Sequence, residues 1–341
     1  MKNISTIQVI FIRALFGLLA LFVFAGGLHA QQITADKERI ITTVRFLSEA
    51  VFPRTTTYAN KEDTIDYISE AFTSAELEAT RDEFALTQII GNSDFSVCPS
   101  ERSKESIEFE VGRASLTNIH ALKKGKTNRR IIIGAHYDAI HESPGADDNA
   151  SGVAVLIELA YLLKRTTELN CDVELVAYDA EEWGLWGSRY HAKKIKNQNV
   201  DVVYMFCLDM VGYFSDADNS QRYPVPGMGR LYGTKGDFLA MVGRPEDAKL
   251  MLNVRESFQK TTTLKTQSFP APNLLEPLFA RSDHAPFWWE GYPALFLTDT
   301  ADFRNPHYHR RTDTWNTLDY DRLSQVPVGL YHAVLAIDGK Q

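Results

Sequence analysis

Residues 129–166 read RRIIIGAHYDAIHESPGADDNASGVAVLIELAYLLKRT, and the fold class turns on how this stretch divides. The run up to Ala135 is apolar and β-branched through Ile131, Ile132 and Ile133, as a strand buried on both faces should be. From Asn149 the pattern becomes helical and continues to about Thr166. Between the two lie His136, Asp138, His141, Glu142, Asp147 and Asp148. Charged groups at the end of a buried strand are costly unless something compensates them.

The same division recurs downstream. DVELVAYDAEE (172–182) reads as a strand, GLWGSRYHAKKIK (184–196) as a helix and DVVYMFCLDMVGY (201–213) as a strand. Apolar strands alternating with helices predict an α/β single domain, with a largely parallel mixed central sheet flanked by helices on both faces. Upstream, KERIITTVRFLSEAV (37–51) and NKEDTIDYISEAF (60–72) have helical spacing, and Pro53 separates them. Residues 83–122 read as alternating strand material, including SIEFEVG (106–112) and SLTNIHAL (115–122). Residues 214–275 carry one expected strand, DFLAMVG (237–243), and one helix, around PEDAKLMLNVRESFQKT (245–261). YPALFLTDT (292–300) is a further strand, and DRLSQVPVGLYHAVLAID (321–338) a closing helix that tolerates its internal Pro327 poorly.

The chain has 341 residues, 44% hydrophobic and 23% charged, which is an ordinary globular composition. Its formal net charge is −8, without a lysine- or arginine-rich block, so nucleic acid and anionic membrane surfaces are not expected partners. The first thirty residues differ. Lys2 and Arg13 precede the apolar run Ala14–Gly27, and Ala30 follows at a suitable cleavage position. That run is shorter than the roughly 20 residues needed to cross a bilayer. Residues 1–30 are therefore expected to be a signal peptide, residues 31–341 the folded domain, and the product secreted or periplasmic, with no membrane contact beyond the leader. Cys98, Cys171 and Cys207 form no disulfide framework, and buried free thiols are the plain expectation.

His136 with Asp138, Asp147 with Asp148, Glu181 with Glu182, and Asp209 all fall at the carboxyl ends of expected strands, and NPHYHRRTDT (305–314) follows the last one. Ligands of open parallel sheets bind in the crevice outside those ends. Nitrogen and carboxylate donors without cysteine suit zinc in a hydrolytic site. One carboxylate can bridge two ions roughly 3.5–4 Å apart. Adjacent Glu181 and Glu182 cannot point the same way, so one can bind metal while the other carries protons.

Plainer readings stand beside these. A lone histidine at a strand end is usually a hydrogen-bonded structural group, and only the other clusters weigh His136 toward a ligand. Asp147 also reads as a helix cap, with Asn149 or Ser151 as alternatives. Ser282 and Asp283 look like the N-cap of a helix, with His284 structural beside them. Asp313 reads either as a turn carboxylate or as a buttress of a histidine. Trp183, Trp186, Trp288 and Trp289 read as core or rim packing, with a specificity pocket as the alternative. His141 and Glu142 read as solvated.

The strings HYD, GADDNASG, AYDAEEWGLWGS, LDM and NPHYH, in this order, resemble the motifs of the M28 family of zinc aminopeptidases. The resemblance is dense over residues 131–213 and looser over 282–315. It implies that His136 and Asp209 hold one zinc, that Glu182 and His309 hold a second, and that Asp148 bridges the pair. Within NPHYH the spacing favours His309 over His307. Glu181 would be the general base, and Asp138 would orient the ring of His136. The implied activity is hydrolysis of the first peptide bond of peptides with a free N-terminus. Two other functions compete. Glutaminyl cyclases are similar through strings such as WGSRYHA and use one zinc, and ammonia release from a glutaminyl peptide separates them. A non-catalytic interaction module on a peptidase frame would be expected to have lost ligands.

Overall fold

The isoleucine run becomes the third strand of an eight-stranded sheet, with Ile131, Ile132 and Ile133 fully buried. The computed structural model describes residues 33–55, 60–85 and 115–339. The expected leader, Cys98 and SIEFEVG lie outside the described residues. From Ala35 onward the chain forms one compact unit.

The strands are β1 (Glu78–Ala85), β2 (Ser115–Lys123), β3 (Arg130–His136), β4 (Asp172–Tyr178), β5 (Val202–Leu208), β6 (Phe238–Gly243), β7 (Lys265–Pro270) and β8 (Ala294–Thr298). Their order is β1-β2-β4-β3-β5-β8-β6-β7. The central pairs β4–β3, β3–β5 and β5–β8 are parallel, as is β6–β7 at one end. Antiparallel joins at β1–β2, β2–β4 and β8–β6 make the sheet mixed, in agreement with the expected fold class.

Alternate residues of the central strands feed two cores. Ile132, Val176, Met205 and Cys207 pack with Ala192, Ile195, Phe287 and Trp288 beneath the helices Trp186–Asn197 and His284–Trp289. On the other side, helix Gly152–Lys164 packs against β3, β4 and β5 and against helices Lys37–Arg45, Lys61–Ser74 and Gln325–Asp338. Helix Gly152–Lys164 is buried almost all round, which explains its uniformly apolar sequence. Its one buried acid, Glu158, meets the Arg39 guanidinium at 2.7 Å. Cys171 and Cys207 are buried, and neither is in a disulfide.

Two expectations need correction. The closing helix is broken at Ser324 into Tyr320–Leu323 and Gln325–Asp338. Pro327 thereby becomes the third residue of the second piece, where its missing N–H forfeits no helical hydrogen bond. The second correction is β7, KTQSFP, which the sequence reading passed over. It is the outermost strand next to β6, and edge strands accept lysine, polar residues and a terminal proline that a central strand would not.

Candidate metal centre

The chain leaves β3, crosses through helix Gly152–Lys164 to β4, then returns through helix Trp186–Asn197 to β5 on the other side of β3. The strand order therefore reverses about β3, and right-handed crossovers put the two helices on opposite faces. A crevice opens at such a switch point, outside the carboxyl ends of the strands. His136 is the last residue of β3, Glu181 and Glu182 follow β4, and Asp209 follows β5. Asp148 arrives in the loop before helix Gly152–Lys164, and His309 in the segment after β8.

The five expected metal ligands come together here. His136 Nε2 lies 3.4 Å from Asp148 Oδ1 and 3.4 Å from Asp209 Oδ1. His309 Nε2 lies 3.2 Å from Asp148 Oδ2 and 3.2 Å from Glu182 Oε2. Asp148 thus turns one oxygen toward each histidine. Donor atoms of His136, Glu181 and Asp209 lie within 4.8 Å of one another, as do those of Asp148, Glu182 and His309. Zinc bonds of about 2.0–2.2 Å in a tetrahedron separate neighbouring donors by about 3.3–3.6 Å, close to these spacings. His136 Nε2 and Glu182 Oε1 are buried without a hydrogen-bond partner, which a coordinated cation would remedy. The residues fit a pair of divalent ions.

A third group of donors, His120, Glu174 and His191, is a useful contrast. Glu174 Oε2 accepts from Arg130 Nη1 at 3.0 Å, and Oε1 pairs with His120 Nδ1 at 2.8 Å. Lys194 takes the neighbouring Asp82 at 2.6 Å. Arginine and lysine already neutralise those acids, whereas among the described residues Asp148, Asp209 and Glu182 form ion pairs only with His136 and His309.

The surrounding hydrogen bonds refine several expected roles. The His136 ring is steered by the Asp138 carbonyl, 3.1 Å from Nδ1, while the Asp138 carboxylate stands 3.5 Å away. That carboxylate instead accepts from Glu181 N at 3.0 Å and Glu182 N at 3.2 Å, so it fixes the turn that aims the two glutamates. Asp147 caps no helix. It accepts from Gly212 N at 2.9 Å and Asn305 Nδ2 at 2.7 Å, joining the loops after β5 and β8. Asn149 serves the helix start through Gly152 N at 3.1 Å, and its peptide with Asp148 is cis. Asp313 buttresses the backbone of Asp148 rather than a histidine, accepting from Asp148 N at 3.1 Å. Asp283 holds the N-cap position of helix His284–Trp289 without capping it, and its carboxylate is buried. His284 is structural, with Nε2 2.9 Å from Phe279 O and its ring stacked on Phe296. His307 pairs with Thr312 at 2.9 Å, and His141 and Glu142 are exposed.

Electrostatics follow from this crowding. Burial, reinforced by the Asp148 charge, raises the Glu182 carboxyl to about 7. Burial also raises Glu181 well above its ordinary range, against the pull of His136, with Asp209 and Glu182 adding to it. Burial, then Asp147, lifts Asp313 to about 8. Against the cost of its burial, His309 is raised to about 11 by Asp148 and Glu182. Asp148 resists its own burial and is held below the usual carboxylate range by His136 and His309.

These shifts fix a sign. Glu182, Asp313 and His309 bind protons in the folded chain at pH values where the unfolded chain has released them. Stability of the metal-free protein therefore falls as pH rises from about 4.5 through 8. The lowered Asp148 acts oppositely below its ordinary value of 3.8. His191 and His284, each lowered by burial to about 3, act oppositely up to 6.5, where Glu182, Asp313, Asp283 and Asp299, all raised, outnumber them. Metal-free protein should melt at a lower temperature at pH 8 than at pH 6, and added zinc should raise the melting temperature more at pH 8. Thermal melts with and without chelator check this, and a flat or rising metal-free profile would contradict it.

Beside the acids, a cleft is lined by Met210, Tyr223, Val242, Phe269, Phe279 and Phe296, among others. Much of it comes from residues 221–303, which hold none of the five strings that carry the resemblance. None of the four candidate tryptophans lines it. Trp183, Trp186 and Trp288 are buried, and Trp289 is half exposed beside Arg189. Sequence reasoning also missed Arg54, which nothing in FPRTTT marks as part of a site.

The model of peptidase family M28 matches residues 118–333. The chain is 32% identical to the uncharacterized protein YfbL of Escherichia coli K12, over 93% of this chain and 97% of that one. It is 29% identical to leucine aminopeptidase 1 of Blastomyces gilchristii, over 65% of this chain and 55% of the relative, so it spans about half the length of that protein. Two solved structures share the fold. The zinc aminopeptidase BSAP of Bacillus subtilis aligns with a TM-score of 0.65 at 18% identity, over 89% of this chain and 95% of that one. The glutaminyl cyclase of Porphyromonas gingivalis aligns with a TM-score of 0.63 at 16% identity, over 88% and 98%.

Proposed function

This chain belongs to peptidase family M28, and from that premise we propose that it is a metallo-aminopeptidase using two zinc ions. His136 and Asp209 would hold one ion and Glu182 and His309 the other, with Asp148 placed to be shared between them. The observation that carries this reading is the Asp148 carboxylate, with one oxygen 3.4 Å from His136 and the other 3.2 Å from His309. Zinc in such a site supplies Lewis acidity, polarising a carbonyl and acidifying water near neutral pH.

The chain's own groups do the rest. Glu181 accepts a proton from the attacking water as the new carbon–oxygen bond forms. It delivers that proton to the departing nitrogen as the carbon–nitrogen bond breaks. Its burial keeps proton affinity high enough for the second transfer. Asp138 holds the backbone of both glutamates and so fixes where Glu181 points. A free α-amine is drawn to the acid-lined end of the cleft, and the first side chain lies along the apolar wall formed by Met210, Val242, Phe269 and Phe296.

A panel of aminoacyl reporters tests the reading. Leucine, methionine and phenylalanine should be released at least about 10-fold faster, by kcat/KM, than aspartate or glutamate, because an apolar wall cannot repay the desolvation of a charge. Chelation should abolish release, zinc should restore it, and elemental analysis should find two zincs per chain. Full activity with one zinc would undercut the two-ion reading, and ammonia release from a glutaminyl peptide in place of hydrolysis would replace the aminopeptidase reading with that of a cyclase.

A further inference from the structure

Arg54 lies in the N-terminal segment, far in sequence from the ligands, yet it is fully buried beside them. Its Nε donates to Tyr137 O at 2.9 Å, Nη1 to Pro144 O and Leu47 O at 2.6 Å each, and Nη2 to Gly145 O at 2.5 Å. The Arg54 carbonyl in turn accepts from Ala139 N at 3.1 Å. One guanidinium therefore grips both ends of the 137–145 loop. Tyr137 sits between His136 and Asp138, and Gly145 lies just ahead of Asp147 and Asp148. Gly145 has φ +63°, and a Cβ there would fall 2.7 Å from Arg54 Nη2 and 2.3 Å from Asp148 O. The close approach of fork and loop requires glycine.

Burying a guanidinium is costly, and here burial pulls its proton affinity down to about 10. The nearby charges of Asp313, Asp148, Asp138 and Glu182 oppose that pull. Its positive charge is thus matched to the acids of the crevice, and its planar fork is matched to carbonyls that diverge from one another.

We propose that Arg54 is a positioning residue of the metal centre. By stapling the two ends of the 137–145 loop it sets the distance between the His136 end and the Asp148 end, and with it the geometry of both ion sites. The inference rests on the two-zinc reading above and assigns the N-terminal segment a part in it. Residues 36–54 are then a component of the working site, not a removable extension.

The test uses Arg54→Lys, which keeps the charge and loses the fork, and Arg54→Met, which loses both. Zinc affinity is measured on metal-stripped protein by competition with a chromophoric chelator, alongside kcat, KM and melting temperature. Both variants should bind zinc about 10–100-fold more weakly. At saturating zinc kcat should remain depressed while KM changes little, and Arg54→Lys should rescue neither quantity. Wild-type zinc affinity and kcat in Arg54→Lys would overturn the proposal whatever the melting temperature does. So would failure of Arg54→Lys to fold in saturating zinc, since the role would then be general stability. If the wild-type protein itself binds no zinc, the two-zinc reading fails first, and the two failures are distinct.

Discussion

Glu181→Gln should lower kcat by about 10²–10⁴-fold while both zinc ions stay bound. Glutamine preserves the volume and the backbone hydrogen bond from Glu181 N to Asp138, so the turn that aims Glu182 should survive. What is lost is the only change made, the ability to take a proton and return it. KM should move little, because the side chain's contribution lies in the transition state and not in ground-state binding. The limb of the kcat–pH profile that reports this acid should vanish in the variant. Elemental analysis and a kinetic series at two pH values suffice. Wild-type turnover in Glu181→Gln would remove the proposed base, and loss of zinc would make Glu181 a ligand, a position its closeness to His136 and Asp209 permits.

The parts of this site that were legible in the sequence share a physical cause. β3, β4 and β5 are buried on both faces, so they announce themselves as apolar runs, and a charge at the end of such a run has few explanations. His136, Asp148, Glu182, Asp209 and His309 could be named for that reason together with the resemblance. Side-chain identity did not determine which atom acts. Asp138 reaches His136 with its carbonyl and spends its carboxylate on the glutamate turn, and Asp313 supports the Asp148 backbone instead of a histidine ring. Those choices depend on how two loops meet in space. Arg54 was illegible altogether, since its partners at Pro144 and Gly145 lie 90 and 91 residues away and are backbone carbonyls, which leave no trace in composition. The cleft wall was hidden similarly. Phe269 lies on the polar edge strand β7, and only its pairing with β6 brings it to the cavity.

Asp148→Asn should be the most damaging single change, because it acts on both ions at once. The amide keeps the shape of the carboxylate but removes a charge and turns one of two acceptor oxygens into an NH₂ group, which donates and does not ligate. Either His136 or His309 then faces a donor at a distance of 3.2–3.4 Å where it faced an acceptor. Bound zinc should fall from two ions to one or fewer, and activity to that of the chelated wild type. The crevice also loses a carboxylate that His136 and His309 hold below its ordinary range. Combining Asp148→Asn with Glu181→Gln should cost no more than the worse single change, since a base has nothing to assist once the ions are gone. Additive losses would mean that the two residues act independently. Retention of two zincs together with more than about a tenth of wild-type activity in Asp148→Asn would break the assignment of Asp148 as the shared ligand, because a carboxylate between ions about 3.5–4 Å apart supplies a donor to each.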